Sequence, residues 1–345
     1  MSTSVATPDS GTSLDPGAIL QLGLGFWGSK TLLSAVELGL FTVLGAGSLS
    51  VDELRDRLGL AQRGATDFLD ALVALGMLDR TDGRYSNTRA TAAFLDRSSP
   101  AYVGGLLEMA NARLYPFWGS LTEALRTGEP QSEVKCGGDF FGALYADPER
   151  LAQFMTSMTG LSTGCAHAIA EQFPWDEHRV FVDVGAAEGG VAVAVAERHG
   201  HITGGGFDLP PVRPLFERYV ERAGLTPRLR FHGGDFFTDE WPQADVYSLG
   251  HVLHDWDLDH KLALLRHAYQ NLPDGGAVIV FDAIIDDDRR VNAFGLLMSL
   301  NMLIEVPGGF DYTAADCQAW MREVGFRTTS VHHLAGPDSM VVGIK

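Results

Sequence analysis

From Val180 onward the chain repeats one pattern: a short β-branched or apolar run, a turn, then a stretch whose apolar residues recur at helical spacing. Val180 to Val184 is the first run, followed by Gly185 and a helical segment from Val191 to Arg198. Ile202 to Asp208, Leu229 to Phe231 and Asp245 to Leu249 read as three further strands, with helical segments between them. Ala277 to Asp282 is a fifth, after the stop Pro273-Asp274-Gly275-Gly276. Strands that alternate with helices predict a largely parallel α/β sheet, doubly wound, whose ligands lie beyond the carboxyl ends of the strands. Val331 to Ile344, broken at Gly336-Pro337, reads as a closing hairpin.

A chain of 345 residues, 46% hydrophobic and 20% charged, is long and apolar enough for two domains. Residues 1–17 are rich in Ser, Thr, Pro, Gly and Asp and predict a disordered tail. From Ile19 to Leu44 apolar residues run almost continuously, more than one buried stripe needs, so a second face is expected to meet a partner subunit. Ser50 to Leu95 reads helix, turn, helix, hairpin: Ser50 and Glu53 form a capping-box pattern, Ala65 to Leu78 is the second helix, and Asp82-Gly83 turns into a wing at Arg84-Tyr85-Ser86. This winged-helix pattern, residues 18–100, is expected to serve dimerisation. Residues 101–175 read as a helical linker lining the substrate, with Gly137-Gly138 as a break, and 176–345 as the α/β domain.

The net charge of -18 has the wrong sign for holding a phosphate backbone, so no nucleic-acid partner is expected. No apolar run reaches the roughly 18 residues that span a bilayer, and a cytoplasmic protein with no membrane partner is expected. Cys136, Cys165 and Cys317 are odd in number and widely spaced, which suits reduced packing residues.

Gly185-Ala186-Ala187-Glu188-Gly189-Gly190 follows the first strand and opens a helix, which lets a ligand approach the backbone. The same string also reads as a dinucleotide loop, and in either case Asp208, at the end of the second strand, is placed for ribose hydroxyls. Asp183 would repel a pyrophosphate and suits a ligand with an ammonium end. After the third strand, Gly234-Asp235-Phe236-Phe237 offers a carboxylate for an adenine amino group and a ring to pack on it. The three carboxylates together describe adenosine carrying an amino acid.

His254, in Gly250-His251-Val252-Leu253-His254-Asp255-Trp256-Asp257, falls just beyond the fourth strand, where a near-neutral imidazole can take a proton from a hydroxyl. Asp282, ending the fifth strand, and Asp311, after Pro307-Gly308-Gly309, are candidates to orient it. His251-x-x-His254-Asp255 also has metal-ligand chemistry, but no further cluster of convincing spacing follows and no metal is expected. Phe154, Met158, Trp256, Met298, Asn301 and Met302 suggest a flat, apolar acceptor.

At these residues the sequence resembles the S-adenosylmethionine-dependent small-molecule O-methyltransferases of the caffeate and hydroxyindole type, in their bacterial natural-product branch. The resemblance runs from about Gln21 to the C-terminus and rests on Val180 to Gly190, Phe207-Asp208-Leu209-Pro210, Gly234 to Phe237 and Val252 to Trp256, in that order. It implies a winged-helix dimerisation domain, all-helical in character, ahead of a class I methyltransferase domain, in a homodimer acting on a small molecule. It makes Gly185 and Gly189 the loop beside the methionine end, Asp208 the ribose ligand, Leu209 a neighbour of the adenine, and Asp235 and Phe236 its holders. His254 becomes the general base, Asp282 and Asp311 stand where plant relatives carry two glutamates, and Met158, Asn301 and Met302 match acceptor-lining positions. Three departures stand out. Ala187 replaces the middle glycine of the loop, Gly250 and His251 stand where many relatives place a basic residue near the cofactor, and both supporting glutamates are aspartates. Methylation of an enolisable or aromatic carbon, and a non-catalytic cofactor-binding regulator, are the alternative readings.

Overall fold

The computed structural model describes residues 14–99, 101–137 and 140–345, so most of the expected tail lies outside the described residues. The chain divides into two compact units, Met1–Pro100 and Ala101–Lys345.

The apolar N-terminal run forms the helices Gly17–Gly23 and Phe26–Glu37, with Leu40–Val43 following Gly39, whose left-handed backbone turns the chain. Ile19, Leu22, Phe26 and Trp27 stay exposed on this segment. Ser50 caps the helix Val51–Leu58 through a reciprocal box: the Glu53 N–H donates to Ser50 Oγ and the Ser50 N–H to Glu53 Oε2. Strand β1 (Leu49–Ser50) pairs with β3 (Arg84–Asn87), which pairs with β2 (Leu78–Thr81) across a turn at Asp82-Gly83, both at positive φ. The helix expected over Ala65 to Leu78 runs instead from Gln62 to Ala74. Gly76, at φ +72°, ends it, and Leu78 is drawn into the hairpin as a buried strand residue.

The second unit begins with helical segments, including the 25-residue helix Pro148–Gln172, and continues into the α/β domain. Its strands are β4 (Val180–Val184), β5 (Thr203–Asp208), β6 (Leu229–Gly233), β7 (Val246–Gly250), β8 (Ala277–Asp282), β9 (Thr328–His333) and β10 (Ser339–Ile344). They form one seven-stranded sheet in the order β6-β5-β4-β7-β8-β10-β9. The first five pair in parallel, and the C-terminal hairpin adds β10 antiparallel to β8. Two buried apolar clusters cover the sheet: Val182, Val184, Leu249 and Val280 belong to one, Phe181, Val246, Ile279 and Phe281 to the other. That alternation along each strand is what period-two side chains give when both faces are buried. The chain first builds outward from β4 to β6 and then returns to β7 on the other side. The switch therefore falls between β4 and β7, and a crevice opens beyond their carboxyl ends.

Candidate active site

Two groups of side chains meet the β4/β7 crevice. The first is a turn after β4. Gly185 takes φ +74° and Gly189 φ +90°, and a Cβ on them would stand 2.7 Å from Val252 Cγ2 and 2.5 Å from the Phe216 ring. Between them Ala187 also adopts the left-handed region, at φ +49°, and its N–H donates to Asp208 Oδ2 at 2.9 Å. Asp208 Oδ1 accepts from the Leu209 N–H at 2.7 Å, so the carboxylate is fixed at the end of β5 before any ligand arrives. Burial pushes Asp208 up to about 6, held back by these two N–H groups. Asp183, buried inside the end of β4, accepts from the Ser248 hydroxyl on β7. Burial pushes it up to about 7, the serine hydrogen bond opposing and the Asp208 charge adding. Two buried carboxylates raised in this way favour a ligand that brings positive charge and hydroxyl donors.

The Gly234 N–H donates to the Asp208 carbonyl at 3.0 Å, which ties the loop after β6 to the same edge. Asp235 Oδ1 accepts from the Phe237 N–H at 2.8 Å, a local turn that sets the loop's shape. The Phe236 ring packs edge-on to Trp256 at 6.1 Å, and Phe237 does so at 4.6 Å, joining this loop to the one after β7.

The second group surrounds His254, on a short 3-10 turn, Leu253–Asp255, just past β7. Its Nδ1 lies 3.2 Å from Asp311 Oδ1 and 3.7 Å from Asp282 Oδ1, and its Nε2 3.6 Å from Asp255 Oδ1. Burial opposes the imidazolium, but the charges of Asp282 and Asp255 and the hydrogen bond to Asp311 outweigh it and raise His254 to about 10. Asp282, at 1% exposure, accepts from the Tyr312 hydroxyl through Oδ2. Burial lifts it to about 7 against the attraction of His254. His251, at φ +53°, has Nδ1 3.7 Å from Asp282 Oδ1 and Nε2 3.6 Å from Asp338 Oδ2. Burial, then the neighbouring His254, lower it to about 4, so it is neutral at pH 7.

Of the acceptor-side candidates, Met298, Asn301 and Met302 lie on the helix Ala293–Glu305, which packs on the His254 turn. Asn301 spends its amide on protein: Oδ1 accepts from Trp118 Nε1 at 2.9 Å and Nδ2 donates to Glu305. Phe154 and Met158 lie on the helix Pro148–Gln172, and Phe154 packs against the apolar cluster under the sheet. The site also holds residues that no motif announced. Tyr145 lies against Asp208, and burial raises its phenol well above the usual range. Ser248 and Asp338 complete it, each from a segment remote in sequence from the histidine it serves or the carboxylate it binds.

Fold and site define a Rossmann-like enzyme of the S-adenosylmethionine-dependent methyltransferase class. The O-methyltransferase domain family matches residues 118–327, and the O-methyltransferase dimerisation domain matches residues 20–97. The chain belongs to the O-methyltransferase family. It is 46% identical over 331 residues to the tetracenomycin polyketide synthesis 8-O-methyl transferase TcmO of Streptomyces glaucescens, covering 96% of this chain and 97% of that one. It is 36% identical to the N,N-dimethyltransferase OxyT of Streptomyces rimosus, covering 95% and 96%. Among solved structures, PigF with S-adenosylhomocysteine superposes with a TM-score of 0.87 at 29% identity, over 96% of this chain and all of that one. Among the described residues no single helix is long and apolar enough to cross a membrane.

Proposed function

We propose that this methyltransferase transfers the methyl group of S-adenosylmethionine to a phenolic hydroxyl of a small, flat aromatic natural product, with His254 as general base. The observation that carries the reading is the position of His254: buried beyond β7, beside the switch-point crevice, with Nδ1 against Asp311 and Asp282. The name of TcmO supports a polyketide acceptor, and that of the 3-hydroxy-5-methyl-1-naphthoate 3-O-methyltransferase of Streptomyces sahachiroi, 33% identical, a fused aromatic one. The cofactor supplies a methyl group already activated on a positively charged sulfur, so the protein has only to hold two reactants and accept one proton.

In this reading Asp208 accepts from the ribose hydroxyls, Asp183 and the Gly185–Ala187–Gly189 turn take the amino-acid end, and Leu209, Gly234, Asp235 and Phe236 border the adenine. His251, held between two carboxylates, adds a polar atom at the same edge. Phe154, Met158, Trp256, Met298, Asn301 and Met302 line the acceptor, Asn301 by shape, since its amide is engaged. Asp282 and Asp311 fix the tautomer and hold the imidazolium once it forms. Holding both reactants contributes about 7–11 kcal/mol at best, and the base roughly 10² to 10⁴ in rate. Raised to about 10, His254 takes the proton of a phenol, whose own pKa is about 10, near balance but only from its neutral form, so turnover rises with pH towards 10. Aliphatic alcohols, far weaker acids, lack that match.

Incubation with methyl-¹³C-labelled cofactor and a panel of hydroxylated naphthalenes and anthraquinones tests this reading. A methoxy carbon resonance in the product is expected; a new methyl on carbon or nitrogen contradicts O-methylation.

Two copies are proposed to pair through Gly17–Gly23 and Phe26–Glu37, on the strength of the dimerisation domain and of exposed Ile19, Leu22, Phe26 and Trp27. Light scattering should give a dimer mass, and Leu22→Asp combined with Trp27→Asp a monomer. Cys165 and Cys317 are free and buried.

A further inference from the structure

Lys261 is 0% exposed, on the helix Leu258–Asn271 directly after the His254 turn. Its Nζ donates to the Trp256 carbonyl, the backbone that leaves the His254 turn. The same Nζ stands 3.5 Å from the centre of the Phe310 ring and 5.7 Å from that of Tyr312, the two residues flanking Asp311. The segment that carries Asp311 is pressed onto the base turn: a Cβ on Gly309 would stand 2.9 Å from the His254 carbonyl and 3.0 Å from that of Asp255. One ammonium therefore touches both segments that meet at the His254–Asp311 contact.

We propose that Lys261 is a positioning residue for methyl transfer, clamping the turn that bears His254 to the segment that bears Asp311 and supplying the positive charge that balances the carboxylates around the imidazole. This rests on the reading of His254 as the base. The carboxylates facing His254 are Asp255 on its own turn, Asp282 from β8 and Asp311 from the segment after Ala293–Glu305, with neutral His251 beside it. With His254 protonated and all three carboxylates ionised, the group carries one net negative charge in company with Lys261 and two without it. Losing the ammonium therefore raises the proton affinity of the whole group, whichever atom holds the proton. Burial pulls Lys261 down to about 8, while Asp282, Asp311, Asp255 and Asp257 hold it charged at pH 7. A buried ammonium over aromatic faces with one carbonyl partner is costly to keep, which marks it as more than packing.

The test is the titration of the His254 ring, followed by NMR in ¹³C-histidine-labelled protein saturated with S-adenosylhomocysteine and assigned with His254→Gln. Lys261→Met removes charge and hydrogen bond; Lys261→Gln removes the charge but keeps a donor for the Trp256 carbonyl. Both are expected to raise the His254 pKa by about one unit, roughly a tenfold change in the neutral fraction at a fixed pH. An unmoved His254 titration in folded Lys261→Gln overturns the charge role. Lysine ¹⁵N spectra of the unaltered enzyme give a check that needs no variant: a neutral Lys261 amine at pH 7 also overturns it. Neither readout uses turnover, so failure here is distinct from failure of the base reading, which shows as unimpaired methyl transfer by His254→Gln.

Discussion

His254 Nδ1 and Asp311 Oδ1 lie 3.2 Å apart, and the Asp311 backbone is itself fixed by its N–H donating to Ser299 Oγ at 3.2 Å. The contact joins two parts of the chain 57 residues apart. With Nδ1 held against Asp311 and Asp282, Nε2, 3.6 Å from Asp255 Oδ1, is the ring nitrogen left to take a proton.

Asp311→Asn keeps the shape of that contact and removes its charge. Asp311 is among the groups that raise His254 to about 10, so the substitution lowers that value and moves the acid limb of the kcat/KM profile to lower pH. The weaker base and the lost hold on its tautomer cost roughly 10- to 100-fold in kcat at the pH optimum. A profile measured from pH 6 to 10 checks both; an acid limb displaced upward contradicts the assignment.

Cofactor affinity should depend on pH. Asp183 at about 7 and Asp208 at about 6 are partly protonated in the free enzyme at pH 6 and must ionise to accept donors. Binding of S-adenosylhomocysteine therefore releases protons at pH 6 and tightens by roughly tenfold between pH 6 and 8. Calorimetry in two buffers of different ionisation enthalpy reads the release. Asp208→Ala should weaken binding by roughly 10- to 100-fold, the loss of hydrogen bonds to a charged acceptor.

The same shifts set the stability of the ligand-free protein. His254, raised to about 10, stabilises the fold fully below its unfolded value of about 6.5, and that contribution is lost as pH rises through about 10. Asp183 and Asp282, raised to about 7, bind protons in the fold that the unfolded chain has released near 4, so their contribution is lost as pH rises toward 7. Melting temperature should fall from pH 6 to pH 10, and His254→Gln should flatten the decline above pH 7.

Ala187 holds a left-handed backbone in the cofactor turn. That conformation costs a residue with a Cβ roughly 1–2 kcal/mol, and glycine's extra unfolded-state entropy opposes about 0.5–1 of it. Ala187→Gly should therefore stabilise the enzyme by about 0.5–1 kcal/mol in urea unfolding. A loss of stability contradicts the assigned strain.

The strands that build the crevice were legible because both faces of the sheet are buried: Val180–Val184 and Ala277–Asp282 are apolar runs broken only by one carboxylate each, Asp183 and Asp282, at the carboxyl end. The end of the second winged-domain helix was not, since whether Leu78 joins a helix or a strand depends on the left-handed turn at Gly76. In the site, carboxylates at strand ends stand out in the sequence, because topology places every such end at one edge. Tyr145, Lys261 and Asp338 do not, because each joins the residues around Asp208 or the two histidines from a segment whose own pattern is ordinary helix or loop. Asn301 carries the opposite lesson: a polar residue facing a pocket in the sequence pattern has its amide committed to Trp118 and Glu305.

The most direct test of the account is the turnover of His254→Gln set beside its affinity for S-adenosylhomocysteine. The account predicts a fall in kcat of roughly 10² to 10⁴ with the affinity within a few-fold of the unaltered enzyme. Turnover near that of the unaltered enzyme would contradict the role of His254 as the base.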